Sequence, residues 1–279
     1  MTGQGSRERL LARAKGYPYA APPYSYLFVN GAAHELVEGG GDPLSEGALR
    51  IDGAVVPVAR VLHDLGIRGT PGIDGRIAVL AHGSNAAPET MARKFAGFGK
   101  DAVIPVIRGR LAGFDVVYAT HFSSYGSIPS TLAVSPGAEA DIAVTFLTPR
   151  QLALMHRTEL SALNYVYGRL DGLSLVFAEL GARDAAHVYL TRHGHLGIDG
   201  APFALAAIRA RGRRFRALGK VAVLALARDH LAPGTDLDAF ILETVADADL
   251  RRTRSEALRR CARPFDFAGF TPLEVSLSP

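Results

Sequence analysis

Short apolar segments rich in β-branched residues, separated by turn residues, fill the middle of the chain and limit its fold more than any other feature. The segments are IAVLA (77–81), 103–122, 131–137 and 140–148. Segments of this kind predict strands. Helical patterns intervene without a regular strand–helix alternation. This order favours an α+β fold with a mixed sheet over a doubly wound parallel sheet.

Two helices in this region carry clear start signals. Pro88 follows the first predicted strand, and Met91 and Phe95 lie four residues apart after it. Thr148 and Pro149 fit the N-cap and first helical position of a helix over 149–163. Further helices are predicted over 201–210, where Pro202 stands near the start, and over 236–262, where Thr235 and Asp238 resemble a capping box.

Composition excludes several classes of protein. Hydrophobic residues make up 48% of the 279 residues, which excludes disorder as the main state. The single cysteine, Cys261, excludes an internal disulfide and a cysteine-based zinc site. The first sixteen residues lack the apolar core of a signal peptide, and apolar runs such as 221–227 are far too short to span a bilayer. We therefore expect a soluble, cytoplasmic protein with no membrane partner.

Glu159 is the most informative single residue. On a helix over 149–163, Leu152 falls about 20° and Leu163 about 40° from it, so it lies in the middle of the apolar stripe. A carboxylate facing a core is costly unless it is paired or lines a cavity. Burial would raise its pKa and suit it to acid/base chemistry. In the alternative, the helix end leaves the core and Glu159 reaches water or pairs with an arginine.

The loop after the first predicted strand reads His82-Gly83-Ser84-Asn85. A tight turn between a strand and a helix can direct several backbone N–H groups at one point, where they bind an anion or a developing oxyanion. In the alternative, this is an ordinary strand-to-helix connection.

The order of these features resembles the γ-glutamylcyclotransferase family over about residues 76–211. Members carry Tyr-Gly-Ser-Asn-Leu after the first strand, where this chain has His82-Gly83-Ser84-Asn85-Ala86. They also carry a Ser-Pro-Gly turn, matched by 135–137, and a helix whose leucines lead to the catalytic glutamate, matched by 152–159. Tyr189 falls where members place a tyrosine on a later strand. This sequence departs from the pattern at His82, at Ala86 and over 127–131, where members are glycine-rich.

The resemblance implies a mixed, partly closed sheet or barrel with flanking helices. It implies a catalytic core over 76–215, an N-terminal extension over 1–75 and a helical C-terminal extension over 216–279, with the extensions as candidates for a homo-oligomer contact. It also implies that the substrate's α-amine attacks its own γ-carbonyl, releasing 5-oxoproline and an amine without cofactor or metal. Glu159 would be the acid/base. The substrate-binding residues would be His82, Gly83, Ser84, Asn85 and Tyr189.

Other functions stay open from the residues alone. Ser84 could be a nucleophile, although the G-x-S-x-G pattern is absent. His193 and His195, with His187 and Asp199, could bind a metal. Arginine runs over 209–216 and 251–263 could bind phosphates, although a solvated helix face is the simpler interpretation, and we do not expect a nucleic-acid partner. A non-catalytic binding protein of the same fold is the main alternative to a small-molecule γ-glutamyl enzyme.

Overall fold

The helices frame the sheet and carry parts of the candidate site. The computed structural model describes residues 3–37 and 41–276. Within these residues the α-helices are α1 (Gly3–Gly16), α2 (Val58–Asp64), α3 (Pro88–Phe95), α4 (Pro149–Leu160), α5 (Lys220–Leu231), α6 (Leu237–Ala246) and α7 (Ala248–Arg259).

The strands are numbered in chain order. The first nine are β1 (Tyr26–Val29), β2 (Ala32–Val37), β3 (Ala48–Ile51), β4 (Ala54–Pro57), β5 (Ile77–Ala81), β6 (Ile104–Tyr118), β7 (Ser130–Leu147), β8 (Tyr165–Phe177) and β9 (Gly181–Thr191). The remaining strands are short: β10 (His195–Leu196), β11 (Phe203–Leu205), β12 (Ala210–Arg211), β13 (Arg216–Leu218), β14 (Ala262–Arg263) and β15 (Phe270–Pro272).

Five strands close into a barrel. They follow the order β7-β5-β9-β8-β6, and a further pairing of β6 with β7 completes the ring. β5 runs antiparallel to β7, from Ile77 opposite Leu147 to Ala81 opposite Ala143, and parallel to β9. The antiparallel strands β1 to β4 extend the sheet from β6. The predicted α+β fold with a mixed sheet is confirmed, and the predicted partial closure is a complete ring.

Contacts divide the chain into two units. The first comprises the described parts of Met1–Tyr19, Gly113–Ala140 and Thr191–Phe267. The second comprises those of Ala20–Ala112, Asp141–Leu190 and Ala268–Pro279. The predicted segments 1–75, 76–215 and 216–279 cut across both units and stay a prediction as a domain division.

The core of the second unit is built by α3, α4 and the inner faces of its strands. Met91 and Phe95, predicted to share one side of a helix, are 0% and 1% exposed. Leu152 and Met155 bring α4 against the same cluster, together with Tyr26 and other buried side chains. Burying each large apolar side chain contributes about 1.5–3 kcal/mol, so this cluster fixes both helices on the sheet.

Local signals predicted the starts of three elements correctly: β5, α3 and α4. The strand IAVLA forms as β5, and α3 begins at Pro88 as expected. Thr148 caps α4: its hydroxyl accepts from the Gln151 N–H, and the Gln151 side chain accepts from the Thr148 N–H, which completes a capping box.

Three predicted elements were wrong. Residues 201–210 form no helix, because Phe203–Leu205 pair in parallel with Arg216–Leu218 as buried strand β11. The predicted helix over 236–262 is two helices, since Asp247 adopts an extended conformation and caps α7. Asp236, rather than Thr235, caps α6. Residues 135–137 lie inside β7, which agrees with the strand predicted over 131–137 but not with the turn that the resemblance implies.

Candidate active site

Three elements of the second unit bring Glu159, Lys94 and Asn85 together. Glu159 lies in the last turn of α4, Lys94 in the last turn of α3, and Asn85 in the loop after β5. The Lys94 ammonium forms an ion pair with Glu159 Oε1. The Asn85 side chain joins both: Nδ2 donates to Glu159 Oε1 at 3.2 Å, and Oδ1 accepts from Lys94 Nζ at 2.8 Å. The predicted meeting of loop and glutamate therefore occurs through the Asn85 side chain.

The trio is largely withdrawn from water. The Lys94 side chain is 9% exposed and the Glu159 side chain 18% exposed. The Met155 sulfur lies 3.4 Å from the Lys94 nitrogen and covers one side of the ammonium. Both charged groups therefore rely on each other and on Asn85 for stabilisation that water would otherwise supply.

The expected raised pKa of Glu159 was wrong. Burial does raise the pKa of this carboxyl, but the charge and hydrogen bond of Lys94 outweigh it, with help from the Asn85 hydrogen bond and the nearby His82. The net result is a pKa below the ordinary value of 4.5. Glu159 is thus held as a carboxylate by a lysine, and no arginine among the described residues pairs with it.

The apolar stripe on α4 ends earlier than the sequence suggested. The helix stops at Leu160, and Leu163 lies beyond it, 69% exposed, with a φ of +54°. The buried residues on α4 are Gln151, Leu152, Met155, His156 and Leu160. Glu159 follows Met155 by four residues and His156 by three, so it still lies on the buried side of the helix.

The loop that carries Asn85 is a 3-10 turn over Ser84–Ala86, preceded by Gly83. Its own hydrogen bonds run from the Ala86 and Ala87 N–H groups to the Gly83 and Ser84 carbonyls. The N–H groups of Ser84 and Asn85 are not consumed by this turn. Tyr26 anchors the loop to β1, because its hydroxyl donates to the Ala86 carbonyl at 2.9 Å.

His82 and Tyr189 were both predicted to bind substrate. In the structure, His82 connects the loop to β9, and Tyr189 connects β9 to α4. The His82 ring nitrogen Nε2 lies 2.8 Å from the Tyr189 carbonyl. Burial lowers the pKa of His82, and its hydrogen bonds and Glu159 only partly oppose that shift. A buried, neutral imidazole therefore replaces the tyrosine of the resembled motif and ties the loop to β9.

The Tyr189 hydroxyl lies 2.8 Å from His156 Nδ1. Burial raises the pKa of Tyr189, as do the charge of Glu159 and the neighbouring Tyr167. Burial lowers the pKa of His156, so the pair is neutral at pH 7. Tyr167 packs edge-on against His156 at 4.5 Å and stacks on His187 at 5.3 Å. These four rings form one aromatic wall, and within it Tyr189 lies close enough to Glu159 for that charge to raise its pKa.

Lys94 and His156 were not predicted as site residues, although the sequence carries a signal for both. Lys94 follows buried Met91 by three residues in a helix that was predicted, and His156 precedes Glu159 by three. Both are polar residues on the apolar side of a helix, which is the reasoning that singled out Glu159.

The described residues assemble neither of the two alternative sites, the histidine metal site and the Ser84 nucleophile. Among the residues that the structure describes, no group of three His, Cys, Asp or Glu side chains could hold a metal ion. His195 lies in β10, opposite Arg263 of β14, and the side chain of Asp199 is outside what the structure describes. The Ser84 hydroxyl has no hydrogen bond to a histidine or carboxylate within residues 3–37 and 41–276.

Arginines of the two basic runs form ion pairs inside the first unit. Arg213 binds the fully buried Asp115 through two hydrogen bonds of 2.8 and 2.9 Å. Arg254 pairs with Glu243 at 2.7 Å, and Arg252 pairs with Asp249. Acidic neighbours therefore balance these arginines, as the simpler interpretation expects. Arg213 lies in a loop and Arg254 is buried, so these two do not belong to a solvated helix face.

No helix within the described parts of the chain has the length and apolar character that a bilayer crossing requires.

Comparison with known proteins gives a loose structural likeness. No family model matches the sequence, and no curated protein matches it. A solved structure titled gamma-glutamyl cyclotransferase is similar at 13% identity with a TM-score of 0.33, over 69% of this chain and 91% of that one. An uncharacterized human protein gives 13% and 0.33 over 70% and 92%. An Arabidopsis thaliana protein, solved in solution, gives 15% and 0.32 over 42% and 70%.

Proposed function

We propose that this protein is a cofactor-free cyclotransferase that cyclises the γ-glutamyl group of an amide, amine or amino acid conjugate. The products are 5-oxoproline and a free amine. One observation carries the proposal: a carboxylate four-fifths buried, held ionised by Lys94, is hydrogen-bonded to the Gly-Ser-Asn loop. A base and a set of backbone donors are the two things that such a cyclisation needs.

The proton balance of the reaction fits one carboxylate. Glu159 takes a proton from the substrate's α-ammonium, and the freed amine attacks the γ-carbonyl carbon. A C–N bond forms and negative charge moves to the carbonyl oxygen. Glu159 then gives its proton to the leaving nitrogen, and the original C–N bond breaks as the carbonyl re-forms. The second proton, still on the ring nitrogen, passes through the same carboxylate to the free amine, which departs as an ammonium ion. The carboxylate is restored, and no other group is consumed.

The loop would hold the oxygen atoms of the substrate. The Ser84 and Asn85 N–H groups are free of the turn's own hydrogen bonds and can donate to the substrate's carbonyl or carboxylate oxygens. Holding the substrate chain curled brings the amine to its target within one molecule, which can contribute an effective molarity of about 10⁵ M or more. Tyr189 and His156 would orient the substrate from the aromatic wall.

The test is release of 5-oxoproline from a panel of γ-glutamyl amino acids, peptides and amines. We expect turnover by the unmodified protein and a loss of about 10²–10⁴-fold in Glu159→Gln, because the acid/base is removed. Glu89→Gln is the matched control, since Glu89 is an exposed carboxylate on α3. Turnover that survives in Glu159→Gln would refute the assignment of the base.

A second candidate is a non-catalytic protein that binds a small molecule in the same place. The ion pair favours it, because Lys94 already satisfies the charge of Glu159. This candidate predicts that γ-glutamyl compounds raise the melting temperature without turnover. It also predicts that Glu159→Gln keeps the ligand affinity. An acid/base enzyme with the same change could keep the affinity but would lose turnover.

A further inference from the structure

A cleft of about 200 Å³ opens in the second unit, away from Glu159, where the loop over 67–71 meets the start of α4. Three guanidinium groups line it: Arg68, Arg76 and Arg150. Asp101 is the single carboxylate residue in its lining. The wall of the cleft therefore has an excess of two positive charges.

Arg76 is the buried part of this set, with 8% of the residue exposed. Burial lowers its pKa to about 10, with the charge of Asp42 opposing that shift, so the guanidinium is charged at neutral pH. Within the described part of the chain its hydrogen bonds go to neutral oxygens: the carbonyls of Pro71, Val103 and Phe146, and the side-chain amide of Gln151. A buried cation of this kind gains from an anion in contact with it.

Asp42 is not an anion in contact with Arg76. Both Asp42 oxygens already accept backbone hydrogen bonds, from the N–H groups of Leu44 at 2.8 Å and Ile73 at 3.0 Å. Asp42 acts on Arg76 through space, whereas no carboxylate within the described residues touches the guanidinium.

The other two guanidinium groups belong to exposed side chains that line the cleft. Arg150 lies over the ring of Phe98, with its guanidinium carbon 4.9 Å from the ring centre. Arg68 stands beside Gly69, whose φ of +66° turns the loop around the cleft. Across residues 3–37 and 41–276, neither Arg68 nor Arg150 forms a salt bridge. The aromatic contact holds a guanidinium in place and leaves its charge available.

The start of α4 adds to the positive electrostatic potential in the cleft. Thr148, Arg150 and Gln151 line the cleft, and the positive end of the helix dipole lies at this terminus. We propose that this cleft binds the phosphate group of a small molecule. Guanidinium groups match phosphate oxygens in pairs of parallel hydrogen bonds, and a dianion balances the two excess charges. The volume suits one phosphate and a short organic group.

The test is calorimetric titration with inorganic phosphate, in a phosphate-free buffer at constant ionic strength. Arg76 joins several elements, so its replacement could unfold the protein. The informative variant is instead Arg68→Gln/Arg150→Gln, which changes two exposed side chains. The matched control, Arg93→Gln/Arg157→Gln, removes two exposed charges from the same unit outside the cleft.

We expect saturable phosphate binding by the unmodified protein and a loss of about tenfold for each guanidinium removed. The control should bind within about twofold of the unmodified protein. No binding, or equal weakening in both double variants, would overturn the proposal. Glycerol 3-phosphate is the second probe: tighter binding than inorganic phosphate identifies a phosphomonoester site, and equal binding identifies a site for free phosphate. The proposal does not depend on cyclotransferase activity.

Discussion

Removing the lysine that pairs with Glu159 should destabilise the protein in a way that depends on pH. In Lys94→Met, the carboxylate keeps the Asn85 hydrogen bond but loses its only contacting cation among the described residues. Breaking a fully buried ion pair costs about 3–5 kcal/mol, whereas a surface pair is worth about 0–1 kcal/mol. Side chains that are 9% and 18% exposed lie near the buried limit. We therefore expect a loss of about 2–3 kcal/mol at pH 7.

The pH dependence follows from the direction of the pKa shift. The pKa of Glu159 is below its ordinary value of 4.5, so the ion pair stabilises the fold above that pH and is lost as the pH falls through the folded-state pKa. In Lys94→Met, burial becomes the main influence and the pKa of Glu159 rises. On acidification, Glu159 of the variant takes up a proton, and the buried charge without a partner is removed. The free energy of unfolding of the variant therefore recovers. Its deficit should be largest near pH 7 and shrink toward pH 4.

A double-mutant cycle isolates the pair. The cycle uses Lys94→Met, Glu159→Gln and the double variant, with Arg93→Met as the control on the same helix. Urea unfolding followed by far-ultraviolet circular dichroism suits a chain without tryptophan. We expect the double variant to be about 2 kcal/mol more stable than the sum of the single losses predicts. A coupling below about 0.5 kcal/mol, or a deficit that is the same at pH 7 and pH 4, would refute this reasoning.

Three further changes test separate contacts by the same unfolding measurement. Tyr189→Phe should cost about 1–3 kcal/mol, because it leaves His156 Nδ1 buried without its hydroxyl partner, and an unchanged midpoint would show that the contact is unimportant. Asp115→Asn should cost about 3 kcal/mol by weakening the buried pair with Arg213, and adding Arg213→Met should recover part of that loss. Leu163→Gly should stabilise by about 1 kcal/mol, since the exposed leucine has a φ of +54°; destabilisation would instead indicate a packing role.

Features encoded locally could be predicted from the sequence. The start of α4 depends on Thr148, Pro149 and Gln151, which are neighbours in the chain, and all the information needed was in that short segment. Glu159 could be singled out for the same reason, because its position relative to Met155 is fixed by the geometry of one helix.

Features that depend on distant partners could not be predicted in this way. Residues 203–205 become a strand because 216–218 lie beside them, and their own composition favoured a helix. The pKa of Glu159 was predicted in the wrong direction because its partner, Lys94, is 65 positions away in the chain. The sign of the pKa shift depends on that partner, whereas the side of α4 on which Glu159 lies is set by the helix itself.

The pairing of β1 with β6 limits how the chain can be shortened. Residues 26–28 lie opposite 104–106, with Tyr26 facing Val106, and both segments belong to the second unit. A protein trimmed to residues 76–215 would expose the backbone donors and acceptors of a buried apolar strand. Open edges of this kind join other chains and aggregate. Preparations intended to isolate the candidate site should therefore retain the strands over 26–57.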